Sequence, residues 1–559
     1  MAPDRFTAFS NMAGSRTRWL WLLLVTLLCY GHRSTGQSTQ KYLVLLRDKA
    51  NSPYSVDRPE QFLSQRSVLR RQKQNIMVKE RDLPVNPAYV TQLRQAGATV
   101  WYSSRWLNAV LLEATTPVIT RIQSLPFVQG LELGQALASA RVDIPIRNEA
   151  LAITSVVSQP LDTSLAYGVS QTQLAQLGAD VMHQRGYHGE GMLIGVLDAG
   201  FRNANTVRYL KPLFDEKRVV ATYDFVTRDT SVYEDDAHGV EVLSTMAATA
   251  DGTLYGTAYK ASYVLLRTED AATEKPIEEA NWLIGAEYAD SAGVDIINSS
   301  LGYFSFDPPY PSHIYTDLTG TKTLISRAAQ WAAEAGIVVV NSAGNEGNNA
   351  WRYIIAPADA PDVLAIGGVT SAGTQASFSS IGPSADGRVK PDLAALGSSV
   401  VVGLPDGRIS YGSGTSFASP LVAGLVAGFW QAHPRLTAVQ VREALRRSGS
   451  QYATPDNRLG YGIPNFERAS VLSDALTPLV LYPNPFSNAI PLSVQWDKLG
   501  NTTLDAMLTD LTGRVLWRNQ YPVNGIATFV LPNLNLAAGV YLMQLIAGDQ
   551  RRTVKVVKQ

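Results

Sequence analysis

A chain of 559 residues, 45% of them hydrophobic, carries enough apolar material for more than one packed core. Its 48 basic and 48 acidic residues cancel to a formal charge of zero with no long block of one sign, which argues against nucleic acid as a partner. The single cysteine, Cys29, lies in an N-terminal apolar stretch, so removal of that stretch would leave no thiol for disulfides, thiolate metal sites or a cysteine nucleophile.

In chain order, Arg16 and Arg18 precede "WLWLLLVTLLCYG", which is short for a membrane span and charged on the side expected of a secretory signal peptide. Small residues Ser34 and Gly36 suit a cut before Gln37, which predicts a signal peptide over 1–36. Met12 would serve equally as the start. A retained anchor is one alternative, and lipidation at Cys29 is another, although Leu28 is large for the position before a lipidated cysteine. Residues 37–135 open on the strand-like "KYLVLLRD", pass through a charged stretch, and then read as helix, strand, strand, helix, strand, giving a small α+β domain. A looser stretch over 136–160 reads as a linker.

Over 161–474 apolar strands ("GMLIGVLD", "SYVLLRT", "VDIINSS", "GIVVVNSAG", "VLAIGGV") alternate with amphipathic helices. This pattern predicts an α/β domain with a parallel sheet covered by helices on both faces, and functional groups at the carboxyl ends of its strands. Residues 478–559 change to short strands broken by Gly, Asn and Pro, which predicts a C-terminal β-sandwich.

Only six histidines are present, so the search for a catalytic base is short. His183 and His188 fall in a surface-like "MHQRGYHGEG", His313 in a Pro-rich loop, and His433 at the close of a helix. His238 alone opens an amphipathic helix, where an imidazole with an ordinary pKa near 6.5 suits proton abstraction from a hydroxyl. Asp198 ends an apolar strand, where it can orient a histidine or simply cap a loop. Ser416, in "GSGTSFASP", stands where a buried helix begins and reads either as a helix cap or as a nucleophile at the positive end of the helix. Asn345, in "NSAGNEG", follows a buried strand and reads either as a turn residue or as an oxyanion donor.

The chain order Asp198, His238, Asn345, Ser416 resembles that of subtilisin-like serine peptidases. "VLDAG", "HG", "SSLG", "SAGN" and "GTSFASPLVAG" resemble the motifs of that family, and "SFSSIGPSADGRVKPDLAALG" its segment ahead of the serine. The resemblance implies Ser416 as nucleophile, His238 as general base, Asp198 as its orienting acid, Asn345 in the oxyanion hole, and Ser300, Leu301 and Gly302 as the strip that pairs with substrate. Ala199, Val240 and Leu396 depart from the family's usual residues without removing a catalytic atom.

Residues 41–135 resemble, more loosely, the inhibitory propeptides of these enzymes. The last 80 or so residues, with "YPNPF" and "GVYLMQLIAGDQRRTVKVVK", resemble the C-terminal sorting domain of the type IX secretion system of Bacteroidetes. The implied protein is a secreted or cell-surface serine endopeptidase made as a proenzyme. Its partners would be peptide or protein substrates, its own propeptide and the type IX secretion machinery, and it would act as a monomer without nucleic acid. No cofactor is required; a structural calcium ion is left open with no ligands named, because no loop has regularly spaced acidic residues and "YEDDAH" reads equally well as a solvated loop. A catalytically inactive subtilisin-like binding protein is the alternative. An α/β-hydrolase esterase would need G-x-S-x-G and the order Ser, acid, His, neither of which is present.

Overall fold

The computed structural model describes residues 38–139, 167–475, 480–488, 491–548 and 550–559. The predicted signal peptide with Cys29, and most of the predicted linker, lie outside them.

The N-terminal part follows the predicted order with two additions, a helix within the charged stretch and a short strand within the predicted linker. Strand β1 (Gln40–Leu46) is followed by helices α1 (Gln65–Lys73) and α2 (Pro87–Gln95), strands β2 (Thr99–Ser104) and β3 (Ala109–Ala114), helix α3 (Thr116–Gln123), and strands β4 (Val128–Leu131) and β5 (Ala138–Ser139). The strands pair in the order β2-β3-β1-β4, with β5 added on β1. The period of two along β1 divides its side chains between two cores. Tyr42, Val44 and Leu46 pack with Leu93 and Ile119 of α2 and α3, whereas Leu43 joins Trp106, Leu111, Ala138 and residues of the following domain.

That domain is the expected α/β unit. It comprises β6 (Leu193–Asp198), β7 (Val219–Asp224), α4 (His238–Ala247), β8 (Ser262–Arg267), α5 (Ile277–Ala292), β9 (Ile296–Ser299), α6 (Leu324–Glu334), β10 (Val338–Ser342), β11 (Leu364–Val369), β12 (Leu393–Leu396) and α7 (Thr415–Ala432). The sheet runs β12-β11-β10-β9-β6-β8-β7, and its pairs are parallel. Within β6, Ile194 and Val196 face α4 and α7, and Leu197 faces α5 and α6. Both faces are therefore covered, which is why the strands read as apolar runs rather than as alternating patterns. The edge strands β7 and β12 were not singled out from sequence: β7 is only partly buried, and β12 is four residues long.

Strands β13 (Val480–Tyr482), β14 (Ser493–Thr509), β15 (Val515–Val530), β16 (Gly539–Ala547) and β17 (Gln550–Lys558) form one antiparallel set ordered β13-β14-β16-β17, with β15 also on β14. Where the sequence suggests many short strands, β14 and β15 are long and continue through bulges. Trp496, Leu504, Leu508, Phe529, Met543 and Val556 close over a single core.

Candidate active site

Asp198 is the last residue of β6 and has no exposed surface. It lies between β8 and β9, in register with Arg267, and its carbonyl accepts the Thr268 N–H at 3.0 Å. Its carboxylate thus emerges at the carboxyl edge of the sheet between two strands that hold its backbone. His238 is the first residue of α4, and the Asp236 carboxylate accepts its backbone N–H at 2.7 Å. Gly239 is needed here, because a Cβ on it would lie 2.3 Å from the Gly200 carbonyl oxygen and 3.0 Å from Asp198 Cβ. With that approach open, His238 Nδ1 and Asp198 Oδ1 are 2.7 Å apart.

Asp198 Oδ1 also accepts the Ala199 N–H at 2.9 Å, while Oδ2 is buried with no hydrogen-bond partner among the described residues. The sequence departure at Ala199 bears directly on this, since alanine supplies no hydroxyl at that point. Val240, the second departure, is fully buried in the apolar core. Burial pushes the His238 imidazole down, but the charge of Asp198 and its hydrogen bond, joined by Glu241 and Glu269, carry it up to about 9.

Ser416 is the second residue of α7, and the residue in the cap position is Gly414, with no side-chain bond. The reading of Ser416 as a helix cap is therefore wrong. Its half-exposed hydroxyl sits within the first turn, where unpaired N–H groups and the dipole favour negative charge. Ser416 Oγ lies 3.5 Å from the Ser300 carbonyl oxygen. Pro420 lies inside the helix rather than at its start. Proline cannot donate back to the carbonyl four residues earlier, and the Ser416 carbonyl accepts the Ser300 hydroxyl instead, at 2.7 Å. Proline thus leaves a carbonyl free through which the strip after β9 is tied to the first turn of α7.

Further bonds tighten this junction. Ser419 Oγ donates to Asn298 Oδ1 at 2.9 Å, and Asn298 Nδ2 donates to Ser300 Oγ at 3.3 Å. Leu301, 5% exposed, has its carbonyl bonded by Asn341 Nδ2 at 3.0 Å. Asn345 stands in the turn after β10, where Oδ1 accepts the Thr415 N–H at 2.9 Å and the Thr415 hydroxyl at 3.0 Å. These two bonds orient the amide and leave both Nδ2 hydrogens available. Thr415, Asn298 and Ser419 escaped the sequence reading; their only signal was polarity inside otherwise apolar elements.

The other described histidines are engaged elsewhere. His183 is not on the surface as predicted: its Nε2 is 3.0 Å from the Thr257 carbonyl oxygen, and burial lowers its pKa to about 4. Its ring packs against those of Tyr167 and Tyr259, with centroids 5.6 and 5.0 Å away. His313 pairs with Glu279 at 2.7 Å, and His433 Nε2 lies 3.1 Å from Ser470 Oγ.

Among the described residues, no group of three His, Cys, Asp or Glu side chains converges as metal ligands. Within "YEDDAH", Asp236 caps His238 and Asp235 pairs with Arg267 at 3.0 Å. Both carboxylates are thus engaged with protein groups.

A doubly covered parallel sheet thus holds an Asp–His pair at its carboxyl edge, and a partly exposed serine stands in the first turn of a helix packed on that sheet. The chain belongs to the subtilase family. Residues 189–462 match the subtilase family profile, residues 41–148 the peptidase S8 propeptide domain of Bacteroidota, and residues 480–559 the secretion system C-terminal sorting domain. The chain is 32% identical over 311 residues to Subtilisin NAT of Bacillus subtilis subsp. natto, covering 55% of this chain and 71% of that protein. It is likewise 32% identical over 311 residues to the subtilisin of Bacillus pumilus, covering 99% of that protein. The crystal structure of MycP1 with its N-terminal propeptide removed superimposes with a TM-score of 0.44 at 21% identity, over 53% of this chain and 96% of that one.

The protein is accordingly a serine endopeptidase made as a propeptide-bearing precursor, exported by the type IX secretion system and either released or held at the cell surface. Among the described residues, no helix is long and apolar enough to cross a membrane.

Proposed function

We propose that Ser416 attacks the carbonyl of a peptide bond, with His238 as general base and then general acid, Asp198 as its orienting partner, and Asn345 Nδ2 together with the Ser416 N–H as oxyanion donors. The observation that carries this reading is the 2.7 Å contact between His238 Nδ1 and Asp198 Oδ1 at the carboxyl edge of the sheet. A proton shared on Nδ1 leaves the Nε2 lone pair free to take the serine proton, and the carboxylate stabilises the imidazolium that results. From its position near the Ser300 carbonyl, Ser416 Oγ reaches other directions by one staggered rotation about χ1. As the C–N bond breaks, His238 returns the proton to the leaving amine, and water repeats the sequence on the acyl-serine. Ser300, Leu301 and Gly302 offer backbone groups to an extended peptide, which would add as a strand. No cofactor takes part.

A fluorophosphonate applied to the processed enzyme is expected to label Ser416 and no other residue. Processed, folded protein that stays unlabelled, or carries the label elsewhere, would contradict the assignment.

The base works only when neutral, and its pKa is raised. Activity is therefore lost as pH falls through that value and recovered above it. The acid limb of kcat/KM in the processed enzyme is expected well above the ordinary 6.5, toward about 9. The His238 imidazole sets that limb. Asp198→Asn removes the charge that holds the proton, so the limb should move toward lower pH while kcat falls. A wild-type limb at or below 6.5 would contradict this assignment.

A further inference from the structure

Arg267, the last residue of β8, stands in register with Asp198, so both side chains emerge at the carboxyl edge of the sheet. Its buried guanidinium is shared among separate segments. Nε donates to the Ala199 carbonyl at 3.0 Å, and Nη1 donates to Asp224 Oδ2, at the end of β7, at 2.8 Å. The same Nη1 lies 3.0 Å from Asp235 Oδ2, on the loop ahead of α4, and Nη2 lies 3.9 Å from Asp270 Oδ1. Arg267 thus joins the residue after Asp198 to the residue before Asp236, whose carboxylate accepts the His238 N–H.

The two segments that it joins touch directly. A Cβ on Gly200 would lie 2.5 Å from the Asp236 nitrogen and 3.1 Å from Asp235 Cβ, and the Arg202 N–H donates to the Asp236 carbonyl at 3.0 Å. Residue 199 also steadies the Asp198 carboxylate. Among the described residues, Oδ1 is held by the Ala199 N–H and His238, and alanine has no hydroxyl to offer the buried Oδ2. We infer that Arg267 is a positioning residue for the Asp198–His238 pair, fixing Ala199 and Asp235 at the separation the pair requires. The inference rests on the catalytic reading above.

Arginine suits this place for a geometric reason. Its planar guanidinium presents Nε and Nη1 in one rigid fork, so a carbonyl and two carboxylates are held at set distances from a single group. Lysine would bring the same charge as a point on a flexible stem and lose that fixed spacing. With no cation at all, Asp224, Asp235 and Asp270 would repel one another, and the loop that caps His238 would shift. A displacement of about 1 Å at a reacting group is enough to cost about 10²-fold in rate.

The test is kcat, KM and the pH dependence of kcat/KM for one peptide anilide, measured on processed wild type, Arg267→Lys and Arg267→Met. Arg267→Met should lower kcat by about 10- to 100-fold with KM changed by less than about threefold, and Arg267→Lys should recover part of that loss. The acid limb shows how the residue acts. The charged groups around His238, which are Asp198, Asp236, Glu241 and Glu269, are the same in every variant. A loosened Asp198 contact moves the limb to lower pH, whereas loss of a nearby positive charge alone would move it higher. The downward move is expected. If the methionine variant does not fold, the lysine variant carries the test, with kcat lower by about threefold or more and the limb moved in the same direction. Variants that keep the wild-type kcat, that raise KM alone, or that move the limb upward overturn the inference while the catalytic reading stands. So does a loss of kcat with the limb unmoved, as a merely structural role would give. Wild type that is both inactive and unlabelled overturns the catalytic reading, and this inference with it.

Discussion

Replacing Ser416 by alanine should lower kcat by roughly 10⁶-fold, the scale on which removing the serine acts in a subtilisin triad. The fold should not change. Ser416 Oγ makes one long contact, at 3.5 Å to the Ser300 carbonyl, while the bond that ties α7 to the substrate strip uses the Ser416 backbone carbonyl, which alanine retains. Thermal unfolding of the variant should therefore stay within about 0.5 kcal/mol of wild type. Because nucleophile and base act as a unit, adding His238→Ala to the variant should cost little more. Any self-cleavage of the precursor should stop with the same substitution. Peptide cleavage that survives in pure Ser416→Ala protein would overturn the mechanism.

The second large effect lies in the contact between the propeptide and α5. Asp290, fully buried on α5, receives Arg70 and Arg71 from α1 and Arg105 from the β2–β3 turn. Arg71 reaches it at 2.8 and 2.9 Å, and Arg105 at 2.5 Å. Burial alone would raise the Asp290 carboxyl, but the three guanidinium groups, Arg71 foremost, hold it well below the usual range. One turn earlier, Glu287 accepts Ser104 Oγ at 2.5 Å and the backbone N–H groups of Arg105 and Trp106 at 2.9 and 3.1 Å.

Asp290→Ala would leave Arg70, Arg71 and Arg105 without the counter-ion they share, Arg71 keeping only Asp82 at 3.3 Å, and losing one partner of a buried ionic cluster costs about 3–5 kcal/mol. Amide hydrogen exchange in α1 of the full chain should then quicken by about 10²–10⁴-fold, because opening this docked segment becomes easier by that amount. The exposed pair Arg81–Glu334 is the control: Glu334→Gln should change exchange by less than threefold, since such surface pairs contribute little. Equal effects from the two substitutions would show that Asp290 does not hold the propeptide.

The sequence by itself determined the order of elements and the identity of the candidate groups. Apolar runs of β6, β9, β10 and β11 report burial on both faces of a sheet, a local property of each strand. Asp198, His238, Asn345 and Ser416 each stand at the end of such a strand or the start of such a helix, so their candidacy could be read locally, and the family resemblance rests on the same short motifs. His183 misled because polarity in "MHQRGYHGEG" is a local signal, while its burial depends on Tyr167 and Tyr259, neither of which was legible as its neighbour.

Only the tertiary structure decided the rest. That Pro420 leaves a carbonyl for Ser300, that Thr415 orients the Asn345 amide, that three arginines meet at Asp290, and that Arg267 joins Ala199 to Asp235 all depend on pairs far apart in the chain. Periodicity and propensity report which way a residue faces within its own element. Which side chain it meets there is set by the packing of separate elements, which no local pattern encodes.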